Sequence, residues 1–366
     1  MKSSPIKIYK WLYPVSWLYG TGVWLRNKLF DWGIYKERRF DIPIISVGNI
    51  TVGGTGKTPH TEYLIRLLQK DYQVAVLSRG YKRKSKGFIL ALPDTPVQII
   101  GDEPFQMKQK FPNIYMAVDC DRCHGIEQLC HNHPTAVTEV IILDDAFQHR
   151  YVKPGMNILL VDYHRLICRD ALLPAGRMRE PESSKSRADI VIVTKCPKGI
   201  TRAEMETVKS QMKLLPNQRL YFSTLIYGKL HPLFMDIHTP TPAKIEQNQH
   251  ILLVTGIASP NRIIEELSLY NKHVNPLIFS DHHNFTAKDI DCIKKHFNRL
   301  PKGERIIITT EKDATKLVTH PLLDNTLKPY IYVLPIEISF LQDQQESFNS
   351  NITDYVRKNS RNSCIS

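Results

Sequence analysis

The chain lacks any run of the ~20 apolar residues that a spanning helix needs, which excludes a bilayer-crossing segment. Its seven cysteines are an odd number at irregular spacings, so no disulfide framework is present and a reducing compartment is implied. No repeat of fixed period and no low-complexity tract occurs, which excludes solenoids and arrays. Tryptophan is absent beyond Trp32. Acidic residues are outnumbered, 36 against 49 Lys and Arg, and the net charge of +13 points to an anionic partner: nucleotide, nucleic acid or acidic membrane surface.

What is present is ordinary globular material. Hydrophobic residues at 42% and charged residues at 23% exclude wholesale disorder. At ~150 residues per domain, 366 residues predict two domains, each able to bury a core without disulfides or a structural metal.

Residues 1–40 stand apart. They hold all four tryptophans (Trp11, Trp17, Trp24, Trp32), and Lys2, Lys7, Lys10, Arg26, Lys28, Lys36, Arg38 and Arg39 face only Asp31 and Glu37. On a helical wheel Trp11, Leu12, Val15, Leu18, Tyr19, Val23 and Leu29 form one stripe; Tyr13, Trp17 and Trp24 form another, beside Lys10 and Lys28. Two apolar stripes suggest two neighbours, the protein body and a lipid interface suited to aromatic rings flanked by cations; the alternative is a helix packed on the core. Pro14, Ser16, Gly20, Thr21 and Gly22 break the apolar stretch and no small-residue cleavage site follows, which argues against a signal peptide.

After Asp41 short Ile/Val-rich strands alternate with helical segments such as 59–70. Strands are expected at 43–47, 73–78, 114–118, 140–143, 157–161 and 190–194, the pattern of a parallel sheet with helices on both faces. Pro232, Pro240 and Pro242 mark a linker over 230–249. A smaller α/β domain is expected over 250–366, with strands at 251–255, 276–279, 305–309 and 330–334 and a polar tail after Phe348 that frays or forms a terminal helix. The first domain then covers 41–229.

The strand ending Val47-Gly48-Asn49 leads into Thr51-Val52-Gly53-Gly54-Thr55-Gly56-Lys57-Thr58 and a helix opened by Pro59. Strand, glycine loop and helix in that order form a P-loop, whose backbone N–H groups converge on the phosphates of ATP. Lys57 would bridge the β- and γ-phosphates and the Thr58 hydroxyl would ligate Mg²⁺. The strict pattern has Gly where Thr51 stands, so this is a P-loop variant. Val140-Ile141-Ile142-Leu143-Asp144-Asp145 is an apolar strand ending in two carboxylates, the form expected of an acidic strand that organises Mg²⁺.

With these residues in place, the chain resembles the tetraacyldisaccharide 4′-kinase (lipid A 4′-kinase) family of Gram-negative bacteria, from about residue 11 to residue 317. The resemblance rests on 47–59, Leu77-Ser78-Arg79-Gly80-Tyr81, Gly101-Asp102-Glu103-Pro104, Asp121-Arg122, Leu143 to Arg150, Leu173 to Pro181, Asp281-His282-His283-x-Phe285 and Thr310-Glu311-Lys312-Asp313-Ala314. It implies ATP- and Mg²⁺-dependent phosphorylation of the 4′-hydroxyl of a lipid A disaccharide precursor at the cytoplasmic face of the inner membrane. It also implies an active site in the cleft between two α/β domains. Asp102 matches the family's catalytic carboxylate and His282 the histidine that partners it, with the adjacent His283 leaving the choice open. Arg122, Arg179 and Glu180 match polar residues lining the cleft.

Two constellations compete with that reading. Cys120, Cys123, His124, Cys130, His131 and His133 have the ligand types for zinc but not the paired spacing of finger patterns, and Asp121 and Arg122 fall inside a family block. The basic run 79–86, beginning at Arg79, suits a headgroup phosphate or a solvated loop better than nucleic acid. The rival functions are a P-loop kinase or NTPase acting on a soluble substrate, and a nucleotide-dependent switch or nucleic-acid-binding module.

Overall fold

A computed structural model describes residues 8–131, 137–234, 237, 245, 247–257, 260–281, 283–301 and 303–360. Of the residues singled out above, Lys2, Lys7, His133, Pro240, Pro242 and His282 lie outside the described residues. The chain enters through helix α1 (Tyr13–Asp31). There follow β1 (Ile44–Gly48), α2 (Lys57–Leu68), β2 (Val74–Ser78), β3 (Ile89–Leu90), α3 (Val97–Ile100), α4 (Asp102–Lys110), β4 (Tyr115–Val118) and α5 (Arg122–His131). Then come β5 (Val140–Asp144), β6 (Met156–Asp162), β7 (Ile190–Thr194), α6 (Arg202–Met212) and β8 (Arg219–Tyr227). A second unit holds β9 (His231–Pro232), β10 (His250–Thr255), α7 (Asn261–Tyr270), β11 (Val274–Ile278), α8 (Ala287–Arg299), β12 (Arg305–Thr310), α9 (Glu311–Val318) and β13 (Ile331–Leu334). Finally β14 (Ile336–Phe340) and α10 (Gln344–Ser360) close the chain.

Each expected strand is found within two residues of its expected bounds. The first unit carries a nine-stranded sheet among the described residues, ordered β14-β8-β7-β6-β1-β5-β2-β4-β3. From β8 to β4 neighbouring strands are parallel, and β3 is antiparallel at the edge. β1, β2, β5 and β7 are buried along their whole length, as two-sided coverage by helices requires. Ile45 and Val47 pack with Leu64, Ile65 and Leu68 of α2 on one face, while Ile44 packs with Ile126 and Leu129 of α5 on the other. In the second unit the order is β11-β10-β12-β13-β9, parallel except for β9.

The units divide differently from the linker-based expectation. The first comprises 1–225 and 338–366, the second 226–337. The chain therefore leaves along β8 and returns along β14, two strands that the sequence reading did not include. Phe348 to Ser360 of the tail belong to α10, which presents Phe348, Ile352 and Val356 at intervals of four to the first core, against Tyr63, Tyr221 and Phe340. One narrow apolar stripe on a polar helix suffices to seat it.

Helix α1 also differs from its expected wheel. It docks through Ser16, whose hydroxyl donates to Leu172 O (3.1 Å) and accepts from Ala175 N (2.9 Å), and through Phe30, which meets Tyr35 and Tyr151 edge to face. Arg26 donates to Gln148 O (2.9 Å), and Arg150 reaches back to Asn27 O (2.9 Å) and Asp31 (2.9 Å). Of the stripe that begins at Trp11, Leu12, Val23 and Leu29 are half-buried and the Tyr19 hydroxyl donates to Arg179 O (2.8 Å), whereas Trp11, Val15 and Leu18 are exposed, as are Tyr13, Trp17 and Trp24 of the other stripe. The apolar residues surround the helix, and the contacts holding it are chiefly polar.

Replacement of Phe348 by Ala is expected to destabilise the fold by about 3–5 kcal/mol, as a buried Phe-to-Ala change does. Urea unfolding measures it; a loss under about 1 kcal/mol would show that α10 is not part of the core.

Candidate active site

Because the central strands are parallel, their carboxyl ends share one edge of the sheet. Gly48, Asp144 and Ser78 end β1, β5 and β2 there, and Asp162 and Thr194 end β6 and β7. Ligands of open α/β sheets bind outside such an edge, where strand order reverses. β1 lies between β5 and β6, so the loop 49–56 that follows it emerges beside both.

That loop is held from several sides. Asn49 Nδ2 donates to Thr55 Oγ1 (2.8 Å). Val52 N donates to Arg177 O (2.8 Å) and Arg179 N to Ile50 O (2.7 Å), and Thr51 forms an antiparallel bridge with Met178. Thr51 is thus an extended, buried residue at the point where the strict pattern has Gly. The freedom of glycine is needed instead at Gly53 (φ 106°) and Gly56 (φ 87°). Three successive carbonyls are occupied by side-chain donors: Gly54 O by Lys195 Nζ, Thr55 O by Thr194 Oγ1 (2.8 Å) and Gly56 O by His60 Nδ1 (2.7 Å). Helix α2 starts at Lys57 with no side-chain cap, so its first N–H groups are left for another acceptor.

Asp144 is buried, accepting from Thr61 (3.1 Å) and Ser78 (3.3 Å). Burial, then the neighbouring Asp145, push its carboxyl above the usual range, while Lys57 opposes the shift. Asp145, in left-handed backbone (φ 48°), stands 3.7 Å from Lys57 Nζ and 3.8 Å from Arg179. Lys57, Asp145 and Arg179 therefore meet, with Asp144 behind them and Thr58 in the first turn of α2.

The remaining expected residues have varied settings. Arg122 is buried beneath the acidic strand, donating to Asp119 O (2.5 Å) and Asp144 O (3.3 Å), and burial lowers its pKa. Glu180 is buried on Arg187 and 3.9 Å from Arg26. Arg79 is exposed at the end of β2. Asp102 is half-buried in the first turn of α4. Buried Glu62 on α2 accepts from Gln106 (2.9 Å) and Lys110 (2.6 Å) on α4, tying the helix of Asp102 to the helix of Lys57.

Around the competing constellations, Arg83 donates to Val118 O (3.2 Å) and Gly87 O (2.6 Å), so part of the basic run is a structural loop. His124 pairs with Asp119 (2.7 Å), and among the described residues no group of three or more His, Cys, Asp or Glu is arranged to hold a metal.

In the second unit, Asp313 is fully buried and accepts from Thr255 (3.1 Å), Gly256 N (3.0 Å) and Thr310 (2.7 Å). His283 is stacked on Phe279 at 4.9 Å, its Nε2 lies 2.9 Å from the Asp289 carboxylate that caps α8, and its carbonyl accepts from Lys316 (2.9 Å).

Sequence reasoning missed His60, Glu62, Thr194 and Lys195. Only Thr194 carries a local signal, as the polar end of the apolar strand β7; His60 and Glu62 sit among other polar residues of α2, and Lys195 follows β7. Burial holds His60 and His149 at about 4, below their ordinary 6.5. As pH falls from 6.5 toward 4 the unfolded chain takes up protons that the folded chain refuses, so stability conferred by the neutral rings is full above 6.5 and declines through that window. Thermal unfolding is expected to show a lower Tm at pH 5 than at pH 7, with a shallower slope in His60→Asn; an unchanged slope would show that the ring is not shielded.

The family model for LpxK, tetraacyldisaccharide-1-P 4′-kinase, matches residues 8–357. A tetraacyldisaccharide 4′-kinase of Phocaeicola vulgatus is 75% identical over 366 residues, covering 100% of both chains. Its counterpart in Bacteroides fragilis is 56% identical over 368 residues, covering 100% of this chain and 98% of the relative. A crystal structure of "apo" form LpxK from Aquifex aeolicus in complex with ATP has a TM-score of 0.71 at 28% identity, over 94% of this chain and 98% of that one. Likeness that runs the full length of the chain, at identities well above those at which folds alone are shared, makes it a member of the tetraacyldisaccharide-1-P 4′-kinase family.

Proposed function

We propose that this protein transfers the γ-phosphoryl group of ATP to the 4′-hydroxyl of a tetraacyldisaccharide 1-phosphate, giving the 1,4′-bisphosphate and ADP. The observation that carries the reading is the meeting of Lys57 and the Asp144–Asp145 pair at the mouth of the loop 49–56, under an uncapped helix. The loop N–H groups and Lys57 bind the phosphates of ATP, as expected of a P-loop. The Thr58 hydroxyl and the carboxylates of Asp144 and Asp145 form an all-oxygen donor set that suits Mg²⁺. Bound there, Mg²⁺ would neutralise charge on the phosphates.

Asp102 and His282 keep the acid–base role implied by the resemblance. They accept the proton of the 4′-hydroxyl as its oxygen bonds to phosphorus and the bond to ADP breaks. His283 is committed by its ring and its carbonyl to seating the 279–289 segment, which supports His282 as the partner of Asp102. Arg179 and Arg79 supply positive charge for the substrate's anionic groups. Radiolabelled ATP with the acceptor in detergent micelles tests the reaction. Lys57→Ala is expected to lower turnover by on the order of 10³-fold or more with Tm retained, because the ammonium stabilises charge that moves in the transition state. A variant retaining a tenth of wild-type turnover would remove Lys57 from that role.

The rival with a soluble substrate is disfavoured by α1. Trp11, just before α1, and Trp17 and Leu18 within it are 77%, 83% and 76% exposed, and with Trp24 and Leu25 they form a set of large apolar side chains turned to solvent. Among the described residues no helix is long and apolar enough to cross a membrane. The helix suits the interface of an anionic bilayer, the inner-membrane cytoplasmic surface, where Lys10 and Lys28 each add up to ~1 kcal/mol. Trp17→Ala with Trp24→Ala is expected to weaken flotation with anionic liposomes and leave Tm unchanged, since both rings lie outside the core. Equal flotation, or a wild type that does not float, rejects the anchor.

A further inference from the structure

We propose that His60 is a positioning residue for ATP, orienting the Gly56–Lys57 peptide so that its N–H faces the phosphates. The proposal rests on the phosphate-loop reading above and concerns a residue that no motif includes.

His60 is 3% exposed, in the first turns of α2. Its Nδ1 lies 2.7 Å from Gly56 O and its Nε2 3.0 Å from the hydroxyl of Ser223 on β8, itself 1% exposed. A carbonyl can only accept, so Nδ1 carries the proton. A neutral ring then has a lone pair at Nε2, and the Ser223 hydroxyl donates to it. The imidazole is thus a rigid strut between the loop and the strand that carries the chain out of the first unit.

What the strut fixes follows from peptide geometry. In a trans peptide C=O and N–H point to opposite sides, so a carbonyl held by a buried donor aims the next residue's N–H away from it. The backbone N–H of His60 also reaches Gly56 O, at 3.3 Å, but the side-chain contact is shorter. Gly56, the N-cap of α2, sits at φ 87°, the left-handed backbone that glycine adopts without strain. Thr194 and Lys195 hold the two preceding carbonyls in the same way, so the N–H groups of Thr55, Gly56 and Lys57 are presented together. Successive N–H groups aimed at one point make an anion-binding concavity. Preorganising them removes an ordering cost from nucleotide binding.

The test separates positioning from packing. His60→Ala is expected to raise KM for ATP by about 5- to 20-fold, as loss of one buried hydrogen bond implies, while kcat changes less than about threefold. His60→Asn places an amide donor near the position of Nδ1 and is expected to recover most of that loss. Should His60→Ala not fold, Ser223→Ala serves instead; it frees Nε2 and is expected to raise KM about 2- to 4-fold. In wild type, ¹⁵N-histidine spectra are expected to show His60 as the neutral Nδ1–H tautomer at pH 7, the minor form for histidine in water. MgATP titration without acceptor distinguishes the two levels of failure. A wild type that binds no MgATP overturns the phosphate-loop reading itself. If the wild type binds MgATP, then equal affinity in a folded His60→Ala, an unchanged KM in Ser223→Ala, or an Nε2–H tautomer overturns the role of His60 alone.

Discussion

The structure depends on one constraint: β1 is buried on both faces and flanked by parallel partners on both sides. A strand so placed can turn only at its carboxyl edge, and parallel neighbours must end on that same edge. The loop 49–56, the Asp144–Asp145 pair and the Thr194–Lys195 corner are brought together for this reason, though about 50 residues or more separate each from the next along the chain. The apolar contacts of Ile44, Ile45 and Val47 anchor that geometry, each fully buried side chain contributing about 1.5–3 kcal/mol.

On that frame the charges are arranged in layers. Asp145 is paired at the surface with Lys57 and Arg179, while Asp144 lies behind it on hydroxyl donors, with Arg122 buried beneath on main-chain carbonyls. The buried guanidinium offsets part of the cost of burying the acid, and its two carbonyl contacts hold the end of β5 in place. Glu62 extends the same logic sideways. Its carboxylate joins α2 to α4, so the helix bearing Lys57 and the helix bearing Asp102 share one buried polar tie. A kinase that works by positioning and charge neutralisation needs this rigidity more than it needs additional reactive groups.

Helix α1 is held to the body by a few specific contacts. Its hold on the body is specific, through Ser16, Arg26, Phe30 and the reach of Arg150, and leaves most of its tryptophan surface outward. On the reading proposed above, the apolar side chains left outward are the ones offered to lipid.

Local pattern alone determined much of this protein. The strand-loop-helix around Lys57, the apolar strand ending at Asp144 and the Ile/Val runs of both sheets are legible because each is specified by residues a few positions apart. The outlier segment at the N-terminus was legible for the same reason, by composition. Tertiary structure decided the rest. Thr51 fits the loop because Met178, far along the chain, supplies a bridge. His60 and Ser223 meet across 163 positions, and α10 joins the first core through a stripe of three apolar residues that reads as polar tail until Phe340 and Tyr63 lie beside it. The wheel of α1 captured only part of the docked side, because polar and aromatic partners beyond residue 147, as well as hydrophobicity, choose which side docks. These are contacts between distant residues, and no window of sequence contains both partners.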